Sequence, residues 1–247
     1  MMYSKVVWTY WEGNMDYITK QCIESWNKFI PKGWKIILLN NSNIDNYSII
    51  KPLRFNELSH TTKSDVIRLS VLYNYGGLWM DASILLLESL HWIYEYENNS
   101  YYGFKLKDKS YFESWFIFVP NIYNINIGMW LNVFNNILDT QPYNRHVAYT
   151  NKCTTDDDYF MIYQSFCYLV DNNNEFKNTF NKIHEDAIKY FYKPFGPISS
   201  YNKLIKFVKL GRQAYKYCRF PLIYIYLVVL FMIIFLIFRQ KNNKTIY

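Results

Sequence analysis

Most of the chemical promise of this chain is concentrated in Ser64–Ser83, SDVIRLSVLYNYGGLWMDAS. Asp65 and Arg68 stand three apart, so on a helix they share one face and can pair. Gly76 and Gly77 end that helix and let the backbone turn sharply. Asp81 follows, along or at the end of an apolar strand expected over 78–87. A lone carboxylate in such a strand is costly unless a cation or ligand hydroxyls complete it. In open α/β sheets ligands collect at the carboxyl ends of the strands, which is where Asp81 would meet them.

Strand, helix and turn signals around this stretch give it a scaffold. Lys5–Trp8 is a buried-strand run, Asp16–Phe29 has helix-spaced apolar residues ending at Pro31–Gly33, and Trp34–Leu39 is another buried strand. This strand–helix–strand opening predicts an α/β fold with a parallel sheet. The next helix is expected to start near the hydroxyls of Thr61 and Thr62 and to stop at the glycine pair. Further strands are expected at Tyr101–Leu106 and Ser114–Val119. A helix follows over Thr154–Val170, and a polar surface helix over Asn172–Ile183.

The remaining chemistry candidates carry weaker signals. Glu113 is a candidate acceptor-side base, and Asp158, in the acidic cluster Asp156–Asp158, a candidate acceptor-side or metal residue. Acids also favour helix starts on electrostatic grounds alone, so that cluster has a plainer explanation. The four histidines show no ligand spacing. Nucleotide-cofactor and P-loop glycine patterns are absent, as is the G-x-S-x-G of α/β-hydrolases, which argues against those chemistries.

Composition narrows the class further. With 51% hydrophobic and 21% aromatic residues in 247, the chain can build one well-cored domain. The abundant Tyr, Asn and Lys resemble the imprint of AT-rich codons, so single residues of these types carry little weight. A formal charge of +7 is scattered rather than gathered into a stripe, which gives no nucleic-acid footprint. Four cysteines without paired spacing predict neither a disulfide scaffold nor a structural metal. From Phe220 to Phe238 run 19 uncharged residues, FPLIYIYLVVLFMIIFLIF, between Arg219 and Arg239. That length approaches a bilayer core of about 30 Å. It predicts a single-pass C-terminal membrane anchor with the main domain on the cytosolic side. The expected organisation is a domain at 1–200, a basic amphipathic connector at 201–219, a span at 220–238 and a short basic tail at 239–247.

The central stretch follows the pattern S-D-x-x-R-x-x-x-L-x-x-x-G-G-x-W-x-D-A-[ST], and so resembles the capsular polysaccharide synthesis proteins and the wider DXD sugar transferases of glycosyltransferase family 32. KVVWTYWEG, CIESWNKFIPKGWKIILLN, FESWFI and DDYFMIYQSF resemble further family segments in the same order. The resemblance implies a GT-A-type, Rossmann-like nucleotide-sugar-binding domain that transfers a sugar with retention. The donor would be a UDP- or GDP-sugar, the cofactor Mn²⁺ or Mg²⁺, and the acceptor a glycan, a lipid-linked glycan or a protein.

Residue by residue, Asp81 matches the first Asp of the DXD motif, which contacts donor ribose and metal. Ser83 stands where the fuller motif has its metal-binding second Asp. Asp65 and Arg68 match residues that hold the donor's hydroxyls, Trp8 an aromatic that stacks on the donor base (with plain core packing as its other reading), and Gly77 the glycine turn of the donor site. A hydroxyl can ligate hard cations but adds no charge. Ser83 therefore keeps a second expectation in play, a catalytically inactive transferase fold serving as a membrane scaffold.

Overall fold

The structure is a computed structural model that describes residues 5–105, 111–140, 160–183 and 204–206. All of these belong to one of the chain's two compact units. The expected membrane span, the basic tail and Asp158 lie outside the described residues. Among the described residues, no helix is long and apolar enough to cross a membrane.

The chain opens β1 (Val6–Tyr10), α1 (Tyr17–Phe29) and β2 (Lys35–Leu39), the predicted strand–helix–strand unit. Helix α2 (His60–Tyr75) leads into β3 (Gly77–Met80), and β4 (Ile84–Leu86) follows a short turn. Strands β5 (Tyr102–Lys105) and β6 (Phe112–Val119) precede helices α3 (Ile125–Asp139), α4 (Met161–Asn172) and α5 (Asn174–Asn181). Strand β7 (Leu204–Lys206) comes last among the described residues.

Five strands form one mixed sheet in the order β2-β1-β3-β6-β5. β1 runs parallel to β2 and β3, while β6 is antiparallel to β3 and to β5. Alternation along β1 feeds two cores, as a strand buried on both faces requires. Val6, Trp8 and Tyr10 join the core that includes α2, α3 and α4 residues, while Val7 joins the core of Trp26, Leu78 and Phe116. A separate pair, β4 with β7, is antiparallel. Three residues of the expected connector therefore form a strand.

Several boundaries depart from the sequence reading for physical reasons. The cap of α2 is Ser59, not Thr61 or Thr62: its hydroxyl accepts from the Thr62 amide at 3.1 Å. The expected strand over 78–87 is broken at Asp81–Ser83, where the Ile84 amide donates to the Asp81 carbonyl at 3.0 Å. Helix α3 was not expected at all, and it is capped by Asn124, whose side chain accepts from the amides of Asn126 and Ile127. Cys22 is a free buried thiol, and Cys167 is disulfide-bonded.

Two glycines and one tryptophan fix the turn that aims β3. Gly76 and Gly77 have φ of 62° and 92°, backbone that side-chain-bearing residues adopt only with strain. Trp8 donates its indole N–H to the Gly76 carbonyl at 2.9 Å. Its ring, 2% exposed, packs on Tyr47 and Tyr75 at centroid distances of 5.4 and 5.5 Å. Trp8 is thus a core clamp here rather than an open stacking platform. Gly77 likewise starts β3, at the end away from Asp81, where it completes the turn. Trp8→Phe keeps an aromatic ring but strands a buried carbonyl, and should destabilise the fold by about 1–3 kcal/mol. Urea unfolding checks this, and an unchanged midpoint at unchanged slope would remove the clamp.

Candidate functional site

At the carboxyl end of β3 the sheet delivers Asp81, and helix α2 delivers Asp65 and Arg68. The helix runs back along β3, so its first half lies at the strand's end and its last turn at the strand's start. One helical turn between Asp65 and Arg68 lets the Arg68 Nη1 donate to Asp65 Oδ1 at 2.5 Å. Nη2 of the same guanidinium donates to Asp81 Oδ1 at 2.9 Å. The Trp79 indole N–H donates to that same oxygen at 2.9 Å, and the Arg68 guanidinium lies 4.9 Å from the Trp79 ring centroid. The Asp81 amide donates to the Trp115 carbonyl at 2.9 Å, which ties the residue to β6. The three residues singled out by spacing therefore form one linked unit.

Burial separates their tasks. Asp65 and Arg68 are buried, whereas the Asp81 side chain keeps 26% of its surface. Burial alone works against charge on Arg68, but the carboxylates of Asp65 and Asp81 outweigh it and hold its pKa above the ordinary arginine value. The guanidinium stays charged, pinned at both ends, while Asp81 faces outward. Arg68 Nε is buried with no hydrogen-bond partner among the described residues.

Glu113 joins the site from the start of β6. Its Oε2 accepts from the Trp115 indole at 2.9 Å and from the Tyr163 hydroxyl at 3.3 Å. The Ser114 hydroxyl in turn donates to Tyr163 at 3.1 Å. Burial first, then the Glu113 charge, pushes the Tyr163 pKa well above its usual value, and Asp65 and Arg68 also act on it electrostatically. Tyr163 therefore remains a neutral hydrogen-bonding group. It was not singled out from sequence; the family-like segment DDYFMIYQSF contains it, with nothing to mark that tyrosine among 25.

As to a metal, two carboxylates, Asp65 and Asp81, flank a single guanidinium, and Glu113 stands apart from them on Trp115 and Tyr163. Among the described residues no group of three or more His, Cys, Asp or Glu is arranged to hold a metal ion. Only Asp81 offers a partly open carboxylate, while Ser83, two residues on, is 5% exposed. This set fits a hard cation held mainly by ligand phosphates, since Mg²⁺ commonly takes one or two protein carboxylates plus substrate oxygens. It does not fit a cage built by the protein alone.

The fold and site define an α/β protein with a charged cluster at the carboxyl edge of its parallel strands. Residues 1–192 match the family model described as capsular polysaccharide synthesis protein, and the chain belongs to that family. No curated protein matches it in sequence. Among solved structures it is similar to one titled PaToxG Glycosyltransferase, at 14% identity and a TM-score of 0.46, over 73% of this chain and 75% of that one.

Proposed function

We propose that the protein is a glycosyltransferase that moves a sugar from a nucleotide-sugar donor, a UDP- or GDP-sugar, to a glycan, lipid-linked or protein acceptor. The observation that carries this reading is the bridge of Arg68 between Asp65 and Asp81 at the carboxyl edge of the parallel strands. Membership in a polysaccharide synthesis family supports it.

Cleaving a sugar–diphosphate bond creates charge on the departing nucleoside diphosphate and a cationic sugar ring. A Mn²⁺ or Mg²⁺ held by Asp81, with the Ser83 hydroxyl nearby, would neutralise the diphosphate when bound. The chain's own residues do the rest. Asp65 and Trp79 fix Arg68 and Asp81 in single orientations, so the carboxylate needs no rearrangement as the bond breaks. Arg68, held charged between Asp65 and Asp81, sets the direction in which Asp81 meets the donor. The carboxylates of Asp65 and Asp81 favour positive charge on the ring. Glu113, held by Trp115 and Tyr163, is the acceptor-side group that would take the proton of the incoming hydroxyl. Retention of configuration belongs to the same reading.

The charge-free run Phe220–Phe238 completes the proposal as a membrane anchor that leaves the enzyme on the cytosolic side. Flotation of the full chain with lipid vesicles tests the anchor, and a chain that stays at the bottom of the gradient refutes it.

Asp81→Asn keeps shape and an acceptor oxygen but removes charge. It should lower donor turnover at least about 100-fold, roughly 2.7 kcal/mol of transition-state stabilisation. Ser83→Ala should cost less and appear mainly as a higher metal requirement. Hydrolysis of UDP- and GDP-sugars by the full chain, with and without Mn²⁺, is the measurement. Parental turnover and metal dependence in Asp81→Asn would remove Asp81 from the catalytic site, and a parental chain that hydrolyses none of these donors would be a scaffold built on the same fold.

A further inference from the structure

At the far end of the sheet from Asp81 lies a groove of about 540 Å³, lined in part by Ile50, Tyr73, Tyr123, Ile125, Asn132 and Asn135. Its position follows from topology. Tyr73 is in the last turn of α2, and Tyr123 and Ile125 follow the end of β6, where Val119 pairs with Gly77. The four residue steps from Gly77 to Asp81 place it about 13 Å or more from the catalytic edge. The groove is therefore separate from the donor site.

Three features single it out. First, Tyr123 has φ of 54°, a left-handed conformation that is uncommon for a bulky residue. Its amide donates to the Tyr73 carbonyl at 2.6 Å, the two rings meet at 5.6 Å, and Tyr123 still stands 60% exposed. The backbone is thus held in a strained state to present an aromatic ring to solvent. Second, Asn135 is 8% exposed, and its Nδ2 donates to the Ile50 carbonyl at 3.1 Å, which orients the amide. Its Oδ1 is buried without a hydrogen-bond partner among the described residues, behind the groove wall. Third, Gly128 sits within α3, where glycine costs about 1 kcal/mol relative to alanine. A Cβ there would stand 2.7 Å from Tyr73 Cε2, so the glycine makes room for the ring behind the groove.

We propose that this groove is a second saccharide-binding site, which holds a neutral glycan chain away from the reaction centre. A pyranose ring has apolar C–H faces and a rim of hydroxyls. The mixed lining matches both, with tyrosine and isoleucine for the faces and the exposed amide of Asn132 for the hydroxyls. Sugar hydroxyls would exchange hydrogen bonds with the exposed Asn132 amide, whereas an acyl chain or an apolar helix would cover that amide and leave it unsatisfied. The choice of a saccharide rests on the sugar-transferase reading; the groove's geometry does not.

The test runs the full chain, without donor or divalent cation, through native gels cast with dextran, laminarin, xylan or mannan. At least one should retard the parental protein. Tyr123→Gly should raise the apparent Kd at least about tenfold, equivalent to 1.4 kcal/mol. Its thermal midpoint should hold or rise, because glycine accepts φ of 54° without strain. Gly128→Ala, which drives the Tyr73 ring from its seat, should weaken retardation as well. Asp81→Asn should be retarded like the parent. The proposal is overturned if no polysaccharide retards the parental chain, or if Tyr123→Gly binds as tightly. It is equally overturned if that variant alters only the oligomeric state in sedimentation, which would make the groove a self-association face. Donor hydrolysis is scored separately, so intact retardation with no turnover would sink the transfer reading and leave the groove standing.

Discussion

Arg68 lies almost wholly buried with one guanidinium nitrogen on Asp65 and another on Asp81. Removing one partner from a buried ionic group typically costs about 3–5 kcal/mol, because a charge is then left uncompensated in a poor solvent. Helix α2 and strand β3 are therefore held in register by charge as well as by apolar contact. Asp65 belongs to the helix, Asp81 to the strand end, and the bridge exists only when both are in place. The same constraint keeps Asp81 pointing outward with a fixed carboxylate, which is what an electrostatic catalyst needs before its substrate arrives.

The rest of the fold serves that registration. A glycine pair with positive φ lets the chain reverse directly from α2 into β3, and the Trp8 indole locks the reversal from the neighbouring strand. β6 then runs antiparallel on the other side of β3, and the Trp115 carbonyl holds the Asp81 amide. The same strand carries Glu113, and α4 brings Tyr163 onto it. Each contributor arrives on a regular element or at its end, so little of the cluster depends on a loop finding its own conformation. The groove beside α3 lies at the opposite end of this scaffold and can act without disturbing it.

Much of this was legible in the sequence, because the strongest signals were local. The spacing of Asp65 and Arg68, the glycine pair and the apolar flanks of Asp81 each depend on neighbours within one or two turns. What escaped depended on distant partners. Trp8 reads as an aromatic near a strand end, and only the fold shows that Tyr47, Tyr75 and the Gly76 carbonyl already occupy it. Arg68 was assigned to ligand hydroxyls, yet its first task is to neutralise Asp81 from thirteen residues away. Asparagine was discounted as a compositional imprint. That discount hid α3, whose cap is Asn124 and whose buried Asn135 shapes the groove. Tyr163 had the same disadvantage, being one tyrosine among many until the fold set it against Glu113.

The bridge as a unit is best tested by a double-mutant cycle on donor turnover, with Asp65→Asn, Asp81→Asn and the pair together. If both carboxylates act through one pinned guanidinium, the effects are strongly non-additive. Asp65→Asn alone should lower turnover at least about 20-fold, yet the double variant should turn over donor within about threefold of Asp81→Asn alone, a coupling of at least about 1 kcal/mol between the two sites. Losses that simply multiply would show that Asp65 and Asp81 act independently, and the bridge would be structural packing rather than the core of the site.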